Sequence, residues 1–345
     1  MRGEEAAAIS LRLPATSANL GPGFDTVALA LALYLEVDAR VADAFQIEAT
    51  GRDVATCSAL HGNLLLDTYA LVWSRYVAGA PQPLALAIRN GIPLAMGCGS
   101  SAASRLAGIA LASHYGGLGW DRMRMLAEAA ALEHHPDNAA ACCLGGFVAA
   151  GYASPDVLSL DRLSPVLVNV DEGASEGSLP HWVQHVQAIS IAPPPAWHAL
   201  LVLPQQPLAT TVSRAVLPEH YGRDVIVRNL QGVALLVAAF SQGAGSLLVH
   251  ATCDQLHQPY RSAVCPLLPR LLPLAGSDGI LSVTLSGAGS GVLLLLESEA
   301  AVESAAIHVR ATAADSKLGP VAIAELLACK LACGPAVLQP VSLVR

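Results

Sequence analysis

GIPLAMGCGSSAASRLAGIAL, Gly91 to Leu111, is the stretch on which the reading of this chain turns. It opens with Pro93, passes through small residues at Gly97, Gly99 and Ser100, and runs unbroken into an alanine-rich segment. Leu106 and Ile109, three apart, share one face if that segment is helical. Ser100 or Ser101 is then a natural N-cap, its hydroxyl accepting from an amide of the first turn. A glycine-rich turn feeding a helix gathers backbone N–H groups and the positive end of the helix dipole around one point, which favours phosphate. The same residues also suit a small-residue turn that lets a buried helix approach a strand. Two common phosphate signatures fail. G-x-x-x-x-G-K-[ST] needs a lysine, and the chain has only Lys317 and Lys330. After Gly97-Cys98-Gly99 come Ser, Ser and Ala, with no third glycine in register for a dinucleotide fingerprint.

The length of 345 residues suits two domains, with a boundary expected near Ser164, giving 1–164 and 165–345. With 53% hydrophobic and 13% charged residues, most elements should bury at least one face, and disorder is not expected. A net charge of −8 argues against nucleic-acid binding. The eight cysteines are scattered without a C-x-x-C pair, no cleavable signal is expected at the start, and the uncharged, mostly apolar run Ala139 to Ala153 is too short to span a bilayer and is broken by glycines. A reducing cytoplasm with free thiols, and no membrane partner, is the expected setting.

Either side of the glycine stretch the pattern alternates between strand and helix. Ile9 to Pro14, Leu33 to Val41, Phe45 to Ala49 and Leu84 to Arg89 read as strands; Asn63 to Val77 and Asp121 to Leu132 read as helices. Pro136 fits the first turn of a further helix. An acidic, polar segment, Asp171 to Gln184, reads as a surface linker, after which Val186 to Ile191 and Trp197 to Leu203 read as the first strands of a second domain. Asp224 to Gln242 reads as a core helix, and Ile280 to Ser286 and Val292 to Glu297 as strands flanking SGAGSG, residues 286–291. This alternation indicates α/β or α+β.

Six segments carry chemistry-bearing residues or resemble a binding loop. Pro14 to Asp25, PATSANLGPGFD, sets Asn19 and Asp25 around a Gly-Pro-Gly turn. The glycine stretch is the second. Glu133-His134-His135-Pro136-Asp137-Asn138 is the third, with more donors and acceptors than a helix cap requires. Thr210 and Arg214, four apart, share a helical face, and Asp254 to Arg261 reads DQLHQPYR. The SGAGSG loop is the last.

PLAMGCGSSAAS is similar to the second motif of the GHMP kinases, P-x-x-x-G-L-G-S-S-A-A, with Cys98 in place of a leucine or methionine. PATSANLGPGFD resembles the N-terminal signature of the homoserine kinase branch, and EHHPDN resembles its E-G-H-P-D-N, with His134 where glycine is usual. SGAGSG resembles the third motif, S-G-A-G-P-T; Ser290 and Gly291 replace proline and threonine, so a more flexible loop is expected.

The resemblance implies an α+β, two-domain GHMP fold: an N-terminal α/β domain of ribosomal-protein-S5-like type and a C-terminal ferredoxin-like domain, with the active site between. It implies transfer of the ATP γ-phosphoryl group to the side-chain hydroxyl of L-homoserine, on the route to threonine. By the same resemblance ATP meets Pro93, Leu94, Ala95, Met96, Gly97, Cys98, Gly99, Ser100, Ser101, Ala102 and Ala103, with Asn63 towards the adenine and Thr210 at the transferring phosphate. Ser101 and Glu133 hold Mg²⁺. Asn19, Asp25, His135 and Asp137 take the amino end of homoserine, Arg214 and Arg261 its carboxylate, and Asn138 orients the hydroxyl. Asp137 could serve as a base, though no lysine stands beside it; the resemblance equally implies that the branch works without a strong base, the proton passing to phosphate or solvent. A homodimer fits. Two other readings fit the same resemblance: a GHMP kinase for another small alcohol, such as threonine or an isoprenoid precursor, and a catalytically inactive ligand sensor.

Overall fold

The computed structural model describes residues 7–152, 186–315 and 321–340. β1 (Ile9–Asn19) and β2 (Gly23–Val41) form a long antiparallel hairpin whose turn runs through left-handed backbone at Asn19, Leu20 and Gly21. PATSANLGPGFD is this hairpin and its turn. β2 is long enough to serve three neighbours: beside β1, its near part (Val27 to Leu29) pairs with β5 and its far part (Leu35 to Val41) with β4.

The chain continues through β3 (Gln46–Gly51), α1 (Val54–Cys57), α2 (Leu64–Tyr76), β4 (Leu84–Asn90), α3 (Ser100–Tyr115), α4 (Arg122–Glu133), α5 (Asp137–Leu144), β5 (Phe147–Tyr152) and β6 (Val186–Ile191). Asn63 and Asp121 cap α2 and α4, their side chains accepting from Leu65 and Arg124 amides. α3 and α5 pack on β1 and β2, and α2 packs on α3; most of β1 and the stretch Val27 to Leu31 of β2 are buried.

The second unit begins with β7 (His198–Pro204), α6 (Thr210–Ala215), α7 (Arg223–Gln242) and the short helices α8 (Leu248–Ala251), α9 (Gln258–Arg261) and α10 (Leu267–Leu271). β8 (Ile280–Leu285), β9 (Val292–Leu296), α11 (Ala301–Ala313) and β10 (Ile323–Lys330) follow, and β11 (Val337–Pro340) closes the described chain. Four strands form an antiparallel sheet in the order β10-β7-β9-β8. The architecture is α+β.

The second sheet is buried on both faces, and residue alternation divides them. Ala199, Leu201 and Leu203 of β7, with Leu293 and Leu295 of β9, join the core that contains β1, β2 and Phe240 of α7. Leu200, Val202, Leu294 and Leu296 turn to the other side, against Leu268, Leu271, Ala305 and Val309. One continuous core therefore runs from the first sheet into the second, and fixes how the two lie against each other.

One expectation about the domain passage changes. Val186–Ile191 is not the start of the second domain; it pairs with β5 as an edge of the first sheet, so the chain changes sheets at the proline run 193–195. β11 also returns to the first sheet, beside β1. The boundary near Ser164 and the segment Asp171 to Gln184 lie outside the described residues. Likewise α7 is not buried all round. Asn229, Gly232, Leu236, Ala239 and Phe240 face inward, whereas Ile226, Val227, Leu230 and Leu235 are exposed. Only from Gly232 to Phe240 is the helix apolar without polar interruption, and that run gives no signal of which face is covered. By length and composition α7 is the one helix among the described residues apolar enough to cross a membrane.

Candidate active site

The start of α3 is built from glycine. Its first residue is Ser100 and the cap position is Gly99, in left-handed backbone, with no side chain closing the first turn. The expected serine cap is therefore absent: a cap residue normally has extended backbone, and here the chain enters through φ +69. The physical consequence is useful. First-turn amides that a serine would have occupied point outward at the positive end of a 16-residue helix.

The glycines also permit close approach. A Cβ on Gly97 would lie 2.0 Å from the Ser286 carbonyl oxygen, and one on Gly99 would lie 1.8 Å from Thr16 Oγ1. The loop is thus wedged between β1 and residues 286–291. Thr16 N donates to Cys98 O, and Ser286 Oγ donates to Gly97 O at 2.8 Å. Cys98 itself is buried, and burial pushes its thiol up to about 12, so it packs as an uncharged apolar group.

SGAGSG is not looser for its substitutions. Gly287 N donates to Ala18 O, Gly291 N to Met96 O, and Ser290 Oγ to Gln206 O at 2.8 Å. Ser290 is buried. The hydroxyl supplies a bond that proline could not, a restraint that offsets the flexibility expected of the substitutions.

A cavity of about 540 Å³ opens above the α3 start, walled by residues of both sheets' domains. One end holds Gly97 to Ala102 with Arg105, Glu133 and His134; the other holds Asn19, Asp25, His135, Asp137, Asn138, Arg214 and Arg261, with Ala95 and Thr210 on the rim. Asn63, Pro93, Leu94, Met96 and Ala103 do not line it. Asn63 is occupied as the α2 cap and donates to Cys57 O and Ala59 O, so its reading as an adenine contact has no support in the geometry. Met96 faces the 286–291 loop, and Ala103 is fully buried beneath the helix.

At the end beside the α3 start, Ser101 Oγ donates to Glu133 Oε1 at 2.6 Å. This brings two hard oxygen donors together beside the helix start, a donor set that suits Mg²⁺. At the far end, α5 starts directly after Pro136, and buried Asp137 accepts from the Asn138 amide and meets His135 Nδ1, each at 2.6 Å. Thr16 Oγ1 donates to Asn138 Oδ1 at 2.7 Å, which fixes the amide's orientation. Asp25 takes both arms of Arg214, at 2.7 and 3.0 Å. Asn19 bridges, donating to Gly287 O and accepting from the Asp25 amide.

Arg261 is 1% exposed. Its Nε donates to Ser213 O at 3.2 Å, and its Nη1 meets His257 Nδ1 at 3.1 Å and Gly287 O at 3.4 Å. His257 Nε2 in turn donates to Gly21 O at 2.8 Å, the tautomer required if Nδ1 accepts from Arg261. Burial, and then the neighbouring Arg214 charge, lower the Arg261 guanidinium from its usual value. The DQLHQPYR motif is the scaffold for this arrangement. Asp254 accepts from the amides of Leu256, His257 and Gln258, and Gln258 Oε1 accepts from Leu285 N. His257 and Asp254 were in the quoted motif but not among the expected site residues; their spacing to Arg261 was the available signal. Arg105 was missed outright.

Two histidines make stability depend on pH with opposite signs. For His257, burial lowers the pKa below the ordinary 6.5, outweighing Asp254. Its contribution is present above about pH 6.5 and is lost as pH falls through the lowered value. For His135, burial also lowers the pKa, but the hydrogen bond and charge of Asp137 outweigh it and carry it above 6.5. That contribution is present below about pH 6.5 and fades as pH rises. His257→Gln, which can still donate to Gly21 O, is therefore expected to flatten the fall in melting temperature between about pH 7 and 5.5. An unchanged acid slope in that variant would remove His257 as the cause.

Comparisons with known proteins bear on the family and the fold. The model described as GHMP kinases N terminal domain matches residues 63–146, and that described as GHMP kinases C terminal matches 236–315. A curated relative from Solibacter usitatus (strain Ellin6076), named homoserine kinase, is 39% identical over 287 residues, covering 83% of this chain and 84% of its own. The chain belongs to the homoserine kinase branch of the GHMP kinase family. A homoserine kinase from Saccharomyces cerevisiae is 31% identical, covering 84% of this chain and 88% of its own. The fold matches the crystal structure of homoserine kinase from Cytophaga hutchinsonii with a TM-score of 0.71 at 21% identity, over 98% of this chain and 99% of that one. The two-domain GHMP arrangement is thus the fold, and the cavity is lined by residues of both units.

Proposed function

We propose that the cavity holds the ATP phosphates over the start of α3 and L-homoserine at its far end, facing them. The chain is a homoserine kinase: it moves the ATP γ-phosphoryl group to the substrate's side-chain hydroxyl, giving O-phospho-L-homoserine and ADP on the route to threonine. The observation that carries the site assignment is that Arg214, Arg261 and the open first turn of α3 line one cavity. An amino-acid zwitterion fits the far end. Its carboxylate takes Arg214 and Arg261, and its ammonium replaces the Arg214 guanidinium on Asp25, near Asp137 and Asn19. The Asp25–Arg214 pair is then the empty site's own substitute for the two substrate charges.

In the reaction the hydroxyl oxygen bonds the γ-phosphorus, the bond from that phosphorus to the ADP oxygen breaks, and the hydroxyl proton passes to phosphate or solvent. Positioning and charge neutralisation supply most of the rate. First-turn amides of α3 hold phosphate oxygens, Asn138, held by Thr16, orients the hydroxyl, and Thr210 meets the transferring group. Ser101 and Glu133 would hold Mg²⁺, which supplies charge neutralisation at the phosphates. His135 and the Asn138 amide hold Asp137 through Oδ1, which fixes the carboxylate as a contact for the substrate's ammonium. Asp137→Asn is accordingly expected to raise KM for homoserine about tenfold, with kcat within a few-fold. A large fall in kcat at unchanged KM would make Asp137 the base.

The direct test follows ADP release with L-homoserine, L-threonine and mevalonate as acceptors. Turnover with homoserine at least about a hundredfold above the others in kcat/KM is expected. Preference for another alcohol, or ligand binding without ADP release, would contradict this reading.

A further inference from the structure

Arg105 stands at the phosphate end of the cavity, on α3 and one turn after Ser101. Its Nε lies 2.6 Å from Glu133 Oε1, the oxygen that also accepts from Ser101 Oγ. Yet this Nε is buried without a hydrogen-bond partner in line. The guanidinium is therefore held against Glu133 by charge and not by a directed bond, and its side chain is still 23% exposed. Among the described residues lining the cavity there is no lysine. Arg214 is committed to Asp25 and Arg261 to Ser213 and His257, which leaves Arg105 as the arginine nearest the α3 start.

We propose that Arg105 is a nucleotide-binding residue that serves Glu133 and the phosphates in turn. In the free protein it is the counter-ion of Glu133. When a divalent cation takes that carboxylate, Arg105 is released to the terminal phosphate oxygens of the nucleotide, a planar donor suited to that group. A diphosphate arriving without metal would draw it the same way. Arg105 thus competes with the metal for Glu133 and cooperates with it at the phosphate. The metal half of this statement rests on the assignment of Mg²⁺ to Ser101 and Glu133; the phosphate half does not.

Calorimetric titration with ADP, once in EDTA and once in excess Mg²⁺, tests both halves. Wild type, R105Q, R105K and E133Q are compared, together with R105Q/E133Q, which leaves no unpaired charge and keeps the test open if R105Q fails to fold. In EDTA, R105Q and the double variant are expected to bind ADP about tenfold more weakly than wild type and E133Q respectively, with R105K retaining most of the affinity. The Mg²⁺ concentration that half-saturates ADP binding is expected to fall in R105Q, because Glu133 has lost its competitor. Equal ADP affinity in EDTA for wild type and R105Q, with only a lower melting temperature, would make Arg105 a tie between α3 and α4 and overturn the proposal. If E133Q keeps the full effect of Mg²⁺ on ADP binding, the metal assignment fails; the phosphate role then stands or falls on the EDTA arm alone.

Discussion

Arg261→Lys is expected to raise the KM for L-homoserine by on the order of a hundredfold, with the KM for ATP within a few-fold of wild type. The reason is the number of partners one guanidinium serves. Buried at 1% exposure, Arg261 holds the Ser213 carbonyl through Nε and His257 through Nη1. Its remaining donors are left for a ligand carboxylate. A lysine ammonium is a single point with three donors and cannot reproduce that fork. Burial and Arg214 already oppose positive charge here, and a lysine at this place can escape the penalty by losing its proton, as arginine does not. Unlike a rim charge, the residue also ties α6 and the 286–291 loop to α9, so the melting temperature should fall as well. Kinetics like those of wild type would remove Arg261 from the carboxylate clamp.

Gly97→Ala should abolish measurable ATP binding, or lower it by more than about a hundredfold. Two effects contribute, and a control separates them. Positive φ disfavours alanine by roughly 1–2 kcal/mol wherever it occurs. Gly117 shares that conformation at φ +66, but a Cβ there would meet nothing within 4 Å. Gly117→Ala therefore reports conformational strain alone, and should leave activity intact with a modest loss of stability. At Gly97 the new Cβ would overlap the Ser286 carbonyl, which is backbone and cannot turn aside. The loop must move away from residues 286–291, taking the α3 amides with it. If Gly97→Ala bound ATP as well as Gly117→Ala does, the loop would not be the phosphate cradle.

Much of the site could be read from the sequence because its parts are local. The glycine loop and its helix, the residues around Pro136, and the arginine four places after Thr210 are each set by neighbours a few residues away. The hairpin of β1 and β2 was visible as a turn, although not as the centre of a sheet. What was hidden depends on distant partners. Val186–Ile191 reads as any strand, and only β5 decides which sheet it joins. Asn63 sits in a context that fits either a ligand or a cap, and three backbone bonds resolve it as a cap. Ser100 or Ser101 was expected to cap α3, but Gly99 holds the cap position because the approach of Thr16 leaves no room for a side chain there. Ser290 looked like a loss of rigidity until Gln206 and Met96 were found beside it. Arg105 was indistinguishable from an ordinary helix-surface arginine, because its significance comes from Glu133, 28 positions further along.

The most direct test of the account is a crystal structure with L-homoserine and a non-hydrolysable ATP analogue bound together. The account predicts the β- and γ-phosphates against the first turn of α3, the amino-acid carboxylate on Arg214 and Arg261, and the substrate hydroxyl facing the γ-phosphorus beside Asn138. An amino acid whose carboxylate lies away from both guanidiniums, or a nucleotide whose phosphates lie away from Gly97 to Ala102, would contradict it.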